Sequence, residues 1–529
     1  MQRRELLRNG TLGVIGAVGT VGAVGTSLTA GAASASAASL DAKASASPAF
    51  DRTVDVLVIG SGFAGAAAAL AAAEAGAEVE IVEKMAFAGG NSALSGGMMA
   101  VPGSSVQKKQ GIEDSPEKLA ADMLRIGQGL GDIELVLALC NDAADTFEWT
   151  RRHGVVWNET LTGKGGHSAK RCMVTKEGTG QGILKPFYAE LAQKGVRVRT
   201  KTFVSRILRD DPDPTDPYSG AVTGVELREG YVFGKPDSGE LVRVGVRRGI
   251  VLAYGGFAAD KAYRRRLDPK LSDDLKTTNQ PGATSEMWRE ASRIGAQIIQ
   301  ADWIQCLPTC SPREEGMGLA THFADIAGAL YGCWVSTLTG ARFASEFADR
   351  KVLTDAIIGV MAKGGLALAV ADANGVAEME KVRPGLLKKV IEAGVVTEHA
   401  SPEALAKAYG MDPAAFEAGL RDYNALVRAG KDTAFGRPLE KAAKELALDR
   451  GPWYASVMSP KIHHCMGGVA VSAATEVLDV VTDRPIPGLY AAGECTGGIH
   501  GAVRIGACAV MDCLVNGRKA GAAAAARNA

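Results

Sequence analysis

The sequence predicts an α/β fold: a Rossmann-like layered domain, split in sequence by a large inserted α+β lobe. Three observations predict it. A short apolar run, a three-glycine turn and an alanine-rich helix follow one another from Asp55. Later apolar, strand-like runs end in glycines, as at Tyr254-Gly255-Gly256. From about residue 303 to 462 the pattern becomes charged and mostly helical, and from Gly467 the first style returns.

Taken in order, residues 1–40 read as a targeting segment. Arg3 and Arg4 precede a Gly-, Ala-, Val- and Thr-rich run, followed by small-residue cleavage sites such as Ala33-Ser34-Ala35. The pattern resembles a twin-arginine export signal, a route for proteins that fold before they cross the membrane. The expected location is periplasmic or extracytoplasmic. An uncleaved membrane anchor is the alternative, against which the run is only modestly apolar. Residues 41–53 read as a linker, 54–302 as the first part of the layered domain, 303–462 as the inserted lobe and 463–529 as the second part.

Asp55-Val-Leu-Val-Ile-Gly60-Ser-Gly62-Phe63-Ala64-Gly65 is a strand, a tight turn and the start of a helix. A second apolar strand, Val79 to Val82, ends at Glu83. This order builds a βαβ unit that holds a dinucleotide. Gly60 allows the turn, Gly62 lets backbone approach a pyrophosphate, and Gly65 lets helix and strand pack closely. The helix N-terminus offers N–H groups and a partial positive charge to the phosphates. Glu83, about 20 residues on, stands where a carboxylate accepts from ribose hydroxyls.

The run Gly89-Gly90-Asn91-Ser92-Ala-Leu-Ser95-Gly96-Gly97 is too glycine-rich for a stable helix or strand interior, and its polar groups suit a flat polar ligand. Residues 115 to 155 and 184 to 191 carry helical periodicity. Val196–Leu208, Val222–Leu227 and Val242–Tyr254 read as strands. Lys363–Val396 and Ala400–Lys444 read as helical, and Ala507–Ala526 as the final helix.

A chain of 529 residues suggests two or more domains. Lys plus Arg and Asp plus Glu are 59 each, so no electrostatic footprint for nucleic acid is present. Nine scattered cysteines form no haem-attachment or ferredoxin pattern, so buried thiols are expected and no metal.

Six motifs in order carry a family resemblance: Gly60-x-Gly62-x-x-Gly65, Glu83-Lys84, Gly89 to Gly97, Gly255-Gly-Phe, His463-His464-x-Met-Gly-Gly468, and Ala492-Gly-Glu494-x-x-Gly-Gly498-x-His-Gly. Together they resemble the flavoprotein subunits of fumarate reductases and succinate dehydrogenases, and most nearly the soluble, exported flavin reductases that include flavocytochrome fumarate reductases and urocanate reductases. The resemblance implies FAD, a split FAD domain with a capping domain between its halves, and hydride transfer between flavin and an activated alkene. It assigns the cofactor to Gly60, Gly62, Phe63, Ala64, Gly65, Glu83, Lys84, Gly90, Asn91, Ser92, Ser95, Gly96, Gly97, Val204, Gly255, Glu494, Arg504 and Ala507. It implies an external electron donor, a membrane cytochrome or quinol dehydrogenase, and anaerobic respiration.

Reducing an activated alkene needs a hydride donor, a proton donor and groups that stabilise negative charge on the activating carbonyl or carboxylate. The family's proton donor is an arginine in Arg-Phe-x-x-Glu-x-x-x-Arg, matched here by Arg342-Phe343-Ala-Ser-Glu346-Phe-Ala-Asp349-Arg350. The resemblance therefore assigns the proton to Arg350 and the carboxylate clamp to His464 and Arg504. The ordinary alternatives are an ion pair of Arg350 with Asp349 or Glu346, a satisfied core histidine, and an Arg504–Glu494 salt bridge.

The chain departs from the dicarboxylate enzymes at Gln305-Cys-Leu307-Pro308-Thr309, where Leu307 replaces the histidine that grips a second carboxylate. A leucine neither bonds nor neutralises that charge, whose burial unpaired costs several kcal/mol. Upstream, His322-Phe323-Ala-Asp325 replaces the Thr-Glu-x-x-Arg segment. The expected pocket thus comprises Leu307, Asp325, Glu346, His464 and Arg504, with Trp303, Phe323 and Trp334 as further lining. It favours a monocarboxylate enoate with an apolar or aromatic tail, or urocanate, over fumarate. Two rivals remain. A ketosteroid-type dehydrogenase would need tyrosines where His464 and Arg504 stand; a flavin electron carrier would have no chemistry of its own.

Overall fold

A computed structural model describes residues 49–528 apart from 164, 211–212, 214, 217–219 and 440–445. The export-signal reading, and the linker reading up to residue 48, lie outside the described residues. Among the described residues no helix is long and apolar enough to cross a membrane.

Strand β1 (Arg52–Ile59) takes in the last two residues of the expected linker and runs through the centre of an eight-stranded sheet. Its last four residues are fully apolar and buried, as a strand covered on both faces requires. Helix α1 (Phe63–Glu74) returns the chain to β2 (Val79–Val82), which lies parallel to β1 with Val58 opposite Ile81. The segment read as one strand, Val196–Leu208, is two: β3 (Arg197–Arg199) and β4 (Thr202–Arg209). Lys201, at φ 51°, breaks the alternation between them. β3 extends the parallel sheet beyond β2, whereas β4 turns into an antiparallel ribbon with β5 (Val222–Glu229), which rejoins the sheet at β6 (Glu240–Leu252).

The inserted lobe begins and ends on two strands that pair with each other, β7 (Ile304–Leu307) and β12 (Lys461–Cys465), with Gln305 opposite His464. Between them lies an antiparallel sheet of β8 (Cys333–Ser336), β9 (Ala367–Asp372), β11 (Trp453–Met458) and β10 (Thr397–His399), in that spatial order. The helical reading of Lys363–Val396 is therefore corrected at Ala367–Asp372. Every residue of that strand is buried, and continuous burial erases the alternation by which a strand is recognised. Phe323 and Trp334 are 0% and 1% exposed and belong to this lobe's core rather than to a ligand wall.

The chain re-enters the layered domain at β13 (Glu476–Leu478) and β14 (Pro485–Ala491), and β14 runs parallel to β6. The final helix (Cys508–Ala526) lies on α1. Small residues allow that contact: a Cβ on Gly521 would stand 1.9 Å from the Ala68 carbonyl oxygen. Two mostly parallel halves thus form one sheet, and the cleft opens at the carboxyl ends of β1, β2 and β6, where such sheets bind ligands.

Candidate active site

The cleft, with the open space at its mouth, spans about 890 Å³ and runs from Glu83, Phe203 and Val204 past the β1–α1 turn to Gly255, Gly256 and Glu494. Gly60 sits at φ 105°, and a Cβ there would lie 2.3 Å from the Ala253 carbonyl oxygen, so the turn admits only glycine. On Gly65 a Cβ would meet the Gly60 carbonyl oxygen at 1.9 Å. That glycine packs the unit together from behind while Gly62, Phe63 and Ala64 line the cleft. Glu83 is buried: one carboxylate oxygen accepts from Ser61 Oγ at 2.6 Å, the other from the Met85 N–H at 2.9 Å. The first N–H of α1, on Phe63, donates to Ser92 Oγ at 2.9 Å.

The glycine-rich run is not wholly irregular, since Gly90–Leu94 forms one short helix with Gly89 at φ 105° before it. Gly90, Asn91 and Ser92 line the cleft, as do Lys84, Val204, Gly255 and Glu494. Ser95, Gly96 and Gly97 fall outside that lining: Ser95 Oγ donates to the Ser92 carbonyl, and Gly97 packs on Thr179. Arg504 and Ala507 lie beyond this cleft too. Lys84 bonds Thr284 and pairs with Glu286 at 3.1 Å. Tyr254, also on the cleft wall, has a buried hydroxyl with no protein partner. An elongated cleft with a helix start on its wall, an acid at one end and a second acid at the other fits FAD.

Beyond the Glu494 end stand the groups assigned to chemistry. β7 and β12 bring Gln305 and His464 side by side. The loop after Gly498 brings Arg504, whose N–H donates to Gln305 Oε1 at 2.8 Å. His464 Nδ1 lies 3.6 Å from Glu494 Oε1. Burial drives His464 well below the usual imidazole range, helped by the charges of Arg504 and Arg350. Burial, and then the charge of Arg350, also push the Arg504 guanidinium down to about 10. Two guanidinia from different lobes therefore face one small region. Three side-chain nitrogens there are buried without a protein partner: Arg350 Nη1, His464 Nε2 and Arg504 Nε.

Arg350 opens helix Arg350–Met361, and burial lowers its proton affinity while Asp325 raises it. The alternative partners in its motif are engaged elsewhere. Asp349 caps the helix by accepting from the N–H groups of Lys351 and Val352. Glu346 accepts from Arg342 at 2.8 and 2.7 Å, from the Trp334 N–H at 3.1 Å and from Arg437 at 3.4 Å. Its carboxylate is spent in a buried ion cluster, which departs from the reading of Glu346 as pocket lining. Leu307 is 5% exposed, at the end of the same strand, opposite Lys461.

Several residues escaped the sequence reading. Gln305 Nε2 is buried with no partner; because the Arg504 N–H can only donate, Oε1 must face it. Asn279 bonds both Asn91 and the His463 carbonyl, linking the glycine-rich run to β12. His167 bonds the Gly506 carbonyl at 2.8 Å, and Arg171, fully buried, contacts His167, Asp114 and Asp122. Gln305, Asn279, His167 and Arg171 stand in none of the six motifs.

Residues 55–510 match the family model described as FAD binding domain. The chain belongs to that family. Its flavoprotein relatives are of the fumarate reductase type. It is 37% identical over 472 residues to the acrylate reductase flavoprotein subunit of Shewanella woodyi, covering 89% of this chain and 91% of that one. It is 32% identical to the urocanate reductase of Eggerthella lenta, over 89% of this chain and 75% of the other. The open conformation of a flavocytochrome c3 fumarate reductase superimposes with a TM-score of 0.72 at 32% identity, covering 90% and 78% of the two chains. The protein is thus an FAD-dependent oxidoreductase acting on CH–CH groups, which sets aside the bare electron carrier.

Proposed function

We propose that this protein reduces the C=C bond of an α,β-unsaturated monocarboxylate, an alkyl or aryl acrylate or urocanate, in preference to fumarate. The reading is supported by Arg350, Arg504 and the neutral imidazole of His464, each with a buried nitrogen that has no protein partner, and by Leu307, two residues along the strand from Gln305, which offers no charge or hydrogen bond to a second carboxylate. Such nitrogens, starved of partners, are costly unless a ligand satisfies them.

FAD, when bound, supplies the hydride. Gly60, Gly62, Phe63, Ala64, Glu83, Asn91, Ser92, Val204 and Glu494 would hold it. Arg504 and His464 bind the substrate carboxylate and draw the negative charge that builds as the β-carbon is reduced. Arg350 gives its Nη1 proton to the α-carbon. Its burial favours release, against the raising effect of Asp325. Asp325, whose charge acts on Arg350, is suited to meeting a polar tail such as an imidazole. The protein works outside the cytoplasm after twin-arginine export, with electrons from a membrane cytochrome or quinol dehydrogenase.

The test is an anaerobic assay with reduced viologen across acrylate, cinnamate, urocanate, crotonate and fumarate. The expected result is kcat/KM highest on a monocarboxylate or urocanate, with Arg350→Met inactive yet FAD-loaded. A fumarate kcat/KM above that of every other substrate would overturn the preference; full activity of Arg350→Met would overturn the proton donor.

A further inference from the structure

The inserted lobe contains a seven-residue π-helical turn, Ala324–Leu330, joined directly to the short α-helical turn Ala320–Phe323. Such turns are rare, because widening the helix weakens its packing and leaves carbonyls without their usual partners. This one carries Asp325 at its second position.

The far end of the turn is bonded by a side chain from more than a hundred residues downstream. Arg437 is 3% exposed; its Nη2 donates to the Leu330 carbonyl at 2.9 Å and its Nη1 to the Gly332 carbonyl at 2.7 Å. The same Nη1 lies 3.4 Å from Glu346 Oε2 and 3.2 Å from Tyr423 Oη. Glu346 in turn holds Arg342, which also pairs with Asp432 at 2.9 Å. Aromatic rings close the cluster: the Arg342 guanidinium is 5.3 Å from the ring centres of both Tyr423 and Phe435, and that of Arg437 is 5.1 Å from Phe347. One guanidinium therefore touches both the end of the turn that bears Asp325 and the loop, residues 342–349, that delivers Arg350.

We propose that Arg437 is a positioning residue: by bonding the carbonyls of Leu330 and Gly332 and the carboxylate of Glu346, it fixes the π turn carrying Asp325 against the loop carrying Arg350. Without it the turn relaxes to ordinary α-helix. Loss of the one-residue expansion rotates what precedes it by about 100°, the angle per residue of an α-helix. Asp325 then leaves its place beside Arg350. The inference rests on the reductase reading for its kinetic arm only.

The test uses the full-length, FAD-loaded protein with Arg437→Met and Arg437→Lys. Hydrogen exchange is read on peptides spanning 320–336, and kinetics on the best enoate of the panel. The expected result for Arg437→Met is fast exchange across 324–332 with FAD retained. Its kcat should fall about 100-fold, the scale of a 1 Å misplacement, with KM little changed. Millimolar guanidinium should restore part of the rate. Lysine keeps the charge opposite Glu346 but cannot fork to two carbonyls, so Arg437→Lys should sit between Met and wild type. Unchanged exchange with unchanged kcat in Arg437→Met overturns the proposal. So does a rate loss that merely parallels FAD loss, with exchange in 324–332 as in wild type. If Arg437→Met does not fold, a folded Arg437→Lys with wild-type exchange and kcat overturns it equally. Failure of the reductase reading shows differently, as a wild-type protein inactive on every enoate, and the exchange arm then decides alone.

Discussion

Glu494 has its carboxylate buried between the Cys465 N–H, 3.0 Å from Oε1, and His464 Nδ1, 3.6 Å away. Burial pushes its pKa from 4.5 up to about 7, against the lowering effect of the Cys465 N–H and the Arg504 charge. The folded chain thus holds a proton that the unfolded chain has given up throughout the window between those values. Stability contributed by this group falls as pH rises through that window, at about 1.4 kcal/mol per pH unit, and the loss reaches roughly 3 kcal/mol near pH 7. His463 and His464 act oppositely. Both are held well below their usual range by burial, so below about pH 6.5 the unfolded state takes up protons they refuse, and stability falls toward acid. A wild-type curve mixes the two. Glu494→Gln separates them, because glutamine keeps an acceptor for the Cys465 N–H and cannot titrate. Urea unfolding of cofactor-stripped wild type and variant from pH 5 to 8 is the assay. The difference in favour of Glu494→Gln should widen by about 2.5 kcal/mol between pH 5 and pH 8. Parallel curves over that range would refute the burial argument.

Other outcomes are equally specific. Glu346→Ala leaves the Arg342 and Arg437 guanidinia undercompensated and should destabilise by about 3–5 kcal/mol, visible as a lower urea midpoint; a normal midpoint with a raised KM would instead return Glu346 to the substrate pocket. Leu307→His should raise the ratio of fumarate to monocarboxylate kcat/KM by about 10–100-fold, the worth of one charge-assisted hydrogen bond. Gly521→Val drives a Cβ into the Ala68 carbonyl and should cost about 3 kcal/mol or more by forcing the final helix from α1. Ala507 occupies the left-handed region at φ 69°, so Ala507→Gly should stabilise by about 1 kcal/mol in a thermal melt.

The legible parts of the molecule were those where backbone geometry leaves no choice of residue. Gly60 and Gly65 are dictated by carbonyls within 2.3 Å of where a side chain would begin, and Glu83 by two donors waiting beside it. The illegible parts depend on partners far away in the chain. Glu346 looked available because Arg437 is 91 residues distant and Asp432 carries no motif. Gln305 gave no signal, since one backbone N–H at Arg504 decides which way its amide points. Ala367–Asp372 was hidden by being buried on both faces, and the β3–β4 break by a single positive φ at Lys201.

No disulfide joins the nine cysteines; eight are buried and only Cys513 is partly accessible, on the wall of the cofactor cleft. Burial also holds the Cys306, Cys310, Cys333 and Cys495 thiols up at about 12, far from the reactive thiolate. A chain that folds before it meets an oxidising compartment would arrive there with its sulfur already sealed. The last accessible thiol is shielded when the cleft is filled, so loading the nucleotide would serve as chemical armour as well as catalytic equipment.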